Sequence, residues 1–556
     1  MSTAKLKDFI SKPLGILTII LMFAFLVRIA GINYGLPLWV YDDEPPFTLS
    51  ALKMIQLKSL IPALHMEDFA GILYYPPYLS YLYMPFFSVL VGLKYLSFGG
   101  DMGQFADYLG GDLSGFFLIA RFLNVLIGVA SVWLIYRIAK SIFNSERAGL
   151  IASFLTATSL YQILMSSNGR HWLAVSFFIL LGLFFLTNRN FSFKKRYGLA
   201  ILTMGAGLGV SPIIGLLGPM IIYWYLFYDR KPLKDFFGEK YFYFIIVAFL
   251  ILAALPAILY PAAFGFRGDL TAKSAKTILG AAESPFLFAE PVALSEPILT
   301  LFAVGGLVYL LFKRRSIFWP FLLFIYTYSI SFYMFFRYEH RFAILFVPIF
   351  AILAAGILDI ILSALKNKVL KAVLLLILVA PLVFSVRLGY LMFRDDSRIL
   401  AINWARENIP AGAKVITYAR AGRIPSDKES IGEQRLLDPS SLRKVDIAEE
   451  KFGTADGISF HALNLYLVNN PEFFNNLEKY VSKNKYQYLI ATKEDLRKRP
   501  EIFSHFQNLM DKSELVKYFE GSKIEYSPSM SQIWGSPLYL FGIKELGPAT
   551  GIYKLK

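Results

Sequence analysis

Long apolar runs alternate with short basic clusters along the first 391 residues. Apolar windows fall near 13–35, 78–97, 115–136, 148–166, 171–187, 198–211, 213–228, 241–263, 293–312, 317–336, 341–363 and 372–391. Most are long enough to cross a hydrocarbon layer as helix. Basic clusters separate them at 1–12, 137–147 (RIAKSIFNSER), 188–196 (NRNFSFKKR), 229–240 (DRKPLKDFFGEK), 313–315 (KRR) and 366–371 (KNKVLK). Positive residues mark cytoplasmic loops. If every window crossed from a cytoplasmic N-terminus, the five later clusters would all lie outside. If 78–97 does not cross, all six lie inside. The pattern therefore predicts that 74-YYPPYLSYLYMPFFSVLVGLKYLS-97 runs along the outer face, where Pro76, Pro77, Pro85 and Lys94 suit an interfacial segment. About eleven transmembrane helices remain, with juxtamembrane helices beside them and a split pair around Ser211-Pro212.

After 391 the pattern changes. The stretch 396-DSRILAINWARENIPAGAKVITYA-419 reads as an amphipathic helix, a turn and a strand; 486-YQYLIAT-492 and 537-PLYLFGI-543 read as further strands. Interleaved helix and strand signals predict a small α/β domain. The expected organisation is a polytopic α-helical membrane domain over 1–391 and an extracytoplasmic α/β domain over 392–556.

Composition sharpens this. The 556 residues are 17% charged and 56% hydrophobic, well short of the charge of a soluble chain. Segment 13–35 is too long for a signal-peptide core and is read as a retained anchor in a multi-pass cell-membrane protein. The absence of cysteine excludes disulfides and thiolate metal sites. The net charge of +16 is explained by the basic flanks of membrane helices rather than by nucleic acid.

The densest acidic cluster is 39-WVYDDEPPFTLSAL-52, at the outer end of the first apolar segment. Its simpler reading is a helix start, with Pro45 in the first turn and Asp43 or Glu44 as the cap. A cap needs one carboxylate, and three stand here. The chemical reading is a base that takes the proton of a hydroxyl as that hydroxyl attacks. Spacing alone leaves Asp42, Asp43 and Glu44 all open for that role. On the same predicted face stand Arg170 and His171, the trio Arg337, His340 and Arg341, and Tyr75. Arginine forks match phosphate oxygens, although basic side chains also snorkel at span ends. Arg121 lies inside an apolar run and is costly unless paired, so structural pairing and substrate contact both remain open. Arg28, in the first span, is read as structurally paired. His65, Glu67 and Asp68 (65-HMEDF-69) supply hard ligands that, with Asp43, would suit a divalent cation; a solvated loop is the competing reading. No metal ligand is assigned.

The run Asp43-Glu44-x-x-Phe47-x-x-x-Ala51 resembles a signature of the protein O-mannosyltransferases and their bacterial lipid A aminoarabinose-transferase relatives, within the GT-C superfamily. Further along, 75-YPPYLSYLY-83 resembles the family's H/K-P-P-L segment, with Tyr75 in place of His or Lys. The stretch 121-RFLNVLIGVASVWLIYRIAKSIFNSERAGLIASFL-155 resembles its R…G…Y-x-[IL]-A run. At 168-NGRHW-172, Arg170-His171 stand where many members show an Arg followed by an acidic or His residue; no acid stands here. Finally, 337-RYEHRFAILFVPIFAILAA-355 and 396-DSRILAINWARENIPAGAKV-415 resemble later blocks. The resemblance implies a polyprenyl-phosphate-linked sugar donor, a protein, lipid or glycan acceptor, and Asp43 as base. A transporter or lipid flippase is the alternative. It would place its polar residues near the bilayer midplane, often within related repeats, and no repeat is visible.

Overall fold

In the computed structural model, the described residues are 12–41, 43–111, 113–264, 277–335, 339–420, 422–443, 446–447, 449–450, 458–497, 499–522, 526–527, 532–533 and 535–556. Asp42, Arg337 and most of the loop after 264 lie outside them.

The first apolar run forms α1 (Pro13–Ile29). Prolines 45 and 46 then open α2 (Pro45–Leu57), where a missing N–H costs nothing. Glu44 occupies the position before α2 but makes no side-chain cap, so the capping reading does not hold. Its carboxylate is used elsewhere. Next come α3 (Tyr78–Ser97) and the 30-residue α4 (Ser114–Phe143), which ends on Asn144 in the left-handed conformation. Ser145 caps α5 (Glu146–Ala157) and Ser159 caps α6 (Leu160–Ser166), and the two meet at a 59° bend. Arg28 fills that break, donating to the carbonyls of Thr156 and Ala157 at 3.2 and 3.1 Å. The expected structural partner of Arg28 is thus a pair of helix-end carbonyls that lack intrahelical donors.

The chain continues through α7 (Trp172–Thr187), α8 (Phe193–Gly207), α9 (Lys240–Leu259), α10 (Ile278–Ser295), α11 (Pro297–Lys313) and α12 (Arg315–Phe335). A 3₁₀ turn, His340–Leu345, leads into α13 (Phe346–Ala364). The last long helix is α14 (Lys368–Phe393). α11 and α13 approach closely at Gly306, where a Cβ would stand 2.0 Å from the Leu353 carbonyl oxygen.

By length and composition, six helices among the described residues could cross a membrane, or seven with the bent α5–α6 pair counted as one span. Four shorter apolar helices fall on other predicted windows. α3 belongs to the six, although the charge pattern lays it on the surface. One face buries Leu79, Tyr83 and Phe87; the other exposes Leu82, Val89, Leu93 and Leu96. That exposed stripe suits lipid in either orientation.

Every strand among the described residues lies after 413. α15 (Ser397–Asn408) falls on the predicted amphipathic helix and is capped by Asp396. The strands are β1 (Lys414–Tyr418), β2 (His461–Asn464), β3 (Tyr488–Thr492), β4 (Glu514–Phe519), a short β5–β6 pair (Tyr526–Ser527 and Gln532–Ile533) and β7 (Thr550–Lys554). They form one five-stranded sheet of order β2-β1-β3-β7-β4 and the separate pair. β2, β1 and β3 run parallel; β7 is antiparallel to β3 and β4. The predicted strand at 537–543 is instead a 3₁₀ turn over Pro537–Phe541. Pro537 favours that turn's start, and its apolar side chains face a helix rather than a sheet. Leu540 is buried, Phe541 meets Phe384 at 6.0 Å, and Arg387 donates to the Leu540 and Ile543 carbonyls at 3.0 and 2.5 Å.

Candidate active site

Asp43 and Glu44 are adjacent but turn opposite ways. Asp43 takes a left-handed backbone (φ 57°), which non-glycine residues adopt at a cost. Glu44 points into the protein. Its two oxygens accept from Arg121 Nε at 2.8 Å and Nη2 at 2.7 Å, and Oε1 also accepts from the Gly169 N–H at 2.6 Å. Both side chains are fully buried. Arg121 Nη1 donates in turn to the Ile32 and Tyr34 carbonyls, each at 2.8 Å, and the guanidinium lies over the Tyr41 ring. The choice left open for Arg121 falls to structural pairing.

Asp43 faces a partly open space, with 24% of its side chain exposed. Its Oδ2 accepts from Arg170 Nη2 at 2.7 Å and from Arg341 Nη1 at 3.2 Å. Its Oδ1 accepts from the Tyr74 hydroxyl at 3.2 Å. Burial alone would raise the proton affinity of this carboxyl. The charges of Arg170 and Arg341, the Tyr74 hydrogen bond and His171 outweigh burial and hold it below the ordinary carboxylate range. Tyr74, by burial and then by the Asp43 charge, is pushed well above its ordinary value and stays a donor.

The two arginines are held differently. Arg170 is fully buried in the turn between α6 and α7. Asn124 on α4 donates to the Asn168 and Arg170 carbonyls at 2.5 and 2.9 Å, and the Tyr83 hydroxyl donates to the Gly169 carbonyl at 3.1 Å. Gly169 is required by close approach, since a Cβ would lie 3.1 Å from Ala120 and 3.2 Å from Glu44. Arg341 sits on the 3₁₀ turn, 16% exposed, with Nε 2.5 Å from Glu339. His340 beside it is half-buried, within electrostatic reach of Glu290.

Aromatic rings form the wall. Tyr75 stacks on Phe47 (5.0 Å) and meets His171 (4.5 Å) and Tyr74 (4.9 Å). His171 and Phe342 both contact Trp172. The structure thus gathers Asp43, Arg170, Arg341, His171 and Tyr75 at one place and puts Glu44 and Arg121 behind it. Arg337 lies outside the described residues. Among those residues no three His, Asp or Glu side chains converge as a cation site. His65, Glu67 and Asp68 form no such group with Asp43, and Asp68 pairs with Lys53 at 2.9 Å.

Sequence reasoning missed Glu339, Asn124 and Tyr83. The last two act through hydrogen bonds to backbone carbonyls, which leave no residue-type pattern. Glu339 had a signal: an acid between Arg337 and Arg341.

Comparison with known proteins finds similarity over part of the chain. Residues 110–260 match the family model for dolichyl-phosphate-mannose-protein mannosyltransferases. The dolichyl-phosphooligosaccharide-protein glycotransferase 1 of Archaeoglobus fulgidus is 24% identical over 247 residues, covering 44% of this chain and 36% of that protein. The match therefore spans about a third of this relative's length. The apo crystal structure of the Archaeoglobus fulgidus oligosaccharyltransferase aligns with a TM-score of 0.47 at 15% identity, over 91% of this chain and 73% of that one. The Cupriavidus metallidurans ArnT structure bound to undecaprenyl phosphate aligns over 97% of both chains, with a TM-score of 0.43 at 10% identity. The matched stretch falls on α4 to α9, the part of the chain that carries Arg121, Asn124 and Arg170.

Proposed function

We propose that the protein transfers a sugar from a polyprenyl-phosphate donor to an acceptor hydroxyl on the outer face of the membrane, with inversion. The observation that carries this reading is a partly open carboxylate, Asp43, beneath two converging guanidinium groups. An acceptor hydroxyl is too weak an acid to ionise beforehand. Asp43 takes its proton as the oxygen bonds to the anomeric carbon from the face opposite the phosphate. The anomeric C–O bond breaks, and the electron pair leaves with the polyprenyl phosphate. Arg341 and Arg170 match the charge that builds on that phosphate, a contribution that is often the largest in such catalysis. His340 stands beside Arg341 on the same 3₁₀ turn. Tyr75, backed by the buried His171, forms the wall against which a sugar ring packs. Glu44 and Arg121 fix the turn that presents Asp43 and Arg170. On this reading the membrane domain ends near 391, and the sheet after 392 stands on the outer side.

The test is transfer in vitro from polyprenyl-phosphate sugars, with products read by mass spectrometry. Asp43→Asn should lower the rate at least about 10²-fold, the low end for a positioned base. Undiminished transfer by a folded Asp43→Asn protein would refute the assignment.

A further inference from the structure

We infer that Asp43 and the donor phosphate compete for Arg341, so that donor binding itself releases the base for its proton. This rests on the proposed transferase reading and adds a coupling between its two halves.

The hydrogen-bond inventory of Asp43 carries the argument. A carboxylate offers about four lone-pair sites. Three are engaged here, by Tyr74 on Oδ1 and by Arg170 and Arg341 on Oδ2. A base so occupied is a poor acceptor for an incoming hydroxyl. The contacts differ in how firmly they are built. Arg170 is fully buried, at 2.7 Å, on a turn pinned by Asn124, Tyr83 and Glu44. Arg341 is at 3.2 Å, reaches Asp43 through one Nη1 contact, and retains some exposure on a 3₁₀ turn. Glu339 stands 2.5 Å from its Nε without a hydrogen bond, so the guanidinium is not locked in place by that pair. A phosphate offers that edge more oxygens and more charge than one shared carboxylate oxygen does.

Once Arg341 turns to phosphate, Asp43 keeps Arg170, Tyr74 and the nearby His171 but loses one cation and one hydrogen bond. Its proton affinity rises from the depressed level that the two arginines together set. The lone pair freed on Oδ2 is then available to the acceptor. Donor-first order follows, because the base stays held by its own ion pair until phosphate takes Arg341.

The sharpest test measures binding, not turnover. Neutralising Asp43 removes the competitor for Arg341. Asp43→Asn should therefore bind sugar-free polyprenyl phosphate more tightly than the unmodified protein, by about fivefold for an ion pair of this exposure. Arg341→Gln should weaken binding, and adding Asp43→Asn to it should restore little. Titration of detergent-solubilised protein with polyprenyl phosphate, read by thermal shift or calorimetry, gives all four values. Equal or weaker binding by a folded Asp43→Asn protein would overturn the competition. Absence of polyprenyl-phosphate binding in the unmodified protein would instead overturn the transferase reading on which it rests.

Discussion

Glu44 and Asp43 differ by one position and diverge in every physical respect. Glu44 forms a bidentate pair with Arg121 in a site closed to solvent. Removing one partner of such a pair leaves an unmatched buried charge, at a cost of about 3–5 kcal/mol. Glu44→Gln should accordingly lower the thermal midpoint in detergent markedly, and Asp43→Asn, whose pair is partly exposed, should lower it less. Asp43 contributes to stability in a pH-dependent way. Its carboxyl is held below its ordinary range, burial opposing and Arg170 and Arg341 prevailing. The native state thus binds this proton more weakly than the unfolded chain does. The stabilisation is present above the ordinary carboxylate range and disappears as pH falls through the depressed value. The midpoint difference between the unmodified protein and Asp43→Asn should shrink on acidification. Asp43 was legible because its motif is a run of residue types. The roles of Glu44 and Arg121 were half legible: a charge in an apolar run demands a partner, and sequence does not say which.

Among the elements, the long apolar helices were readable because a membrane-length apolar run admits few other structures. α3 is where length and charge pattern disagree. Its 20 residues could cross, yet only a non-crossing α3 keeps the basic clusters on one side. The chain has no cysteine, so single cysteines report position cleanly. Cysteines placed at the exposed residues Ala70 and Met102, on either side of α3, should both react with a membrane-impermeant maleimide from outside. Labelling of the second only after permeabilisation would make α3 a span. The misread at 537–543 has a different cause. A short apolar run carries no signal for whether it faces a sheet or a helix, and here it docks on α14 through Phe384 and Arg387.

At the scale of the molecule, the sheet-bearing part and the site are joined by one hydrogen-bonded chain. Asp396 caps α15, pairs with Arg398 at 2.8 Å and accepts from the Tyr34 hydroxyl. The Tyr34 carbonyl accepts from Arg121, and Arg121 holds Glu44 and through it the Gly169 turn. Arg398 also donates to the Arg420 carbonyl, beyond the end of β1, so the carboxyl ends of the parallel strands lie on the side of the membrane helices. The β6 strand lies against the turn that carries Arg341. None of this long-range pairing was visible in the sequence, because residues 34, 121 and 396 are joined only by folding. On the proposed function, an acceptor enters between the sheet and the membrane helices and meets Asp43 there.

The most direct measurement is sugar transfer by purified protein supplied with polyprenyl-phosphate sugars and candidate hydroxyl acceptors, comparing Asp43→Asn with the unmodified chain. The account predicts an inverted glycosidic product from the unmodified protein and a loss of at least about 10²-fold in the variant, with its fold retained. Equal product from both, or transport of the lipid across the bilayer with no transfer, would contradict it.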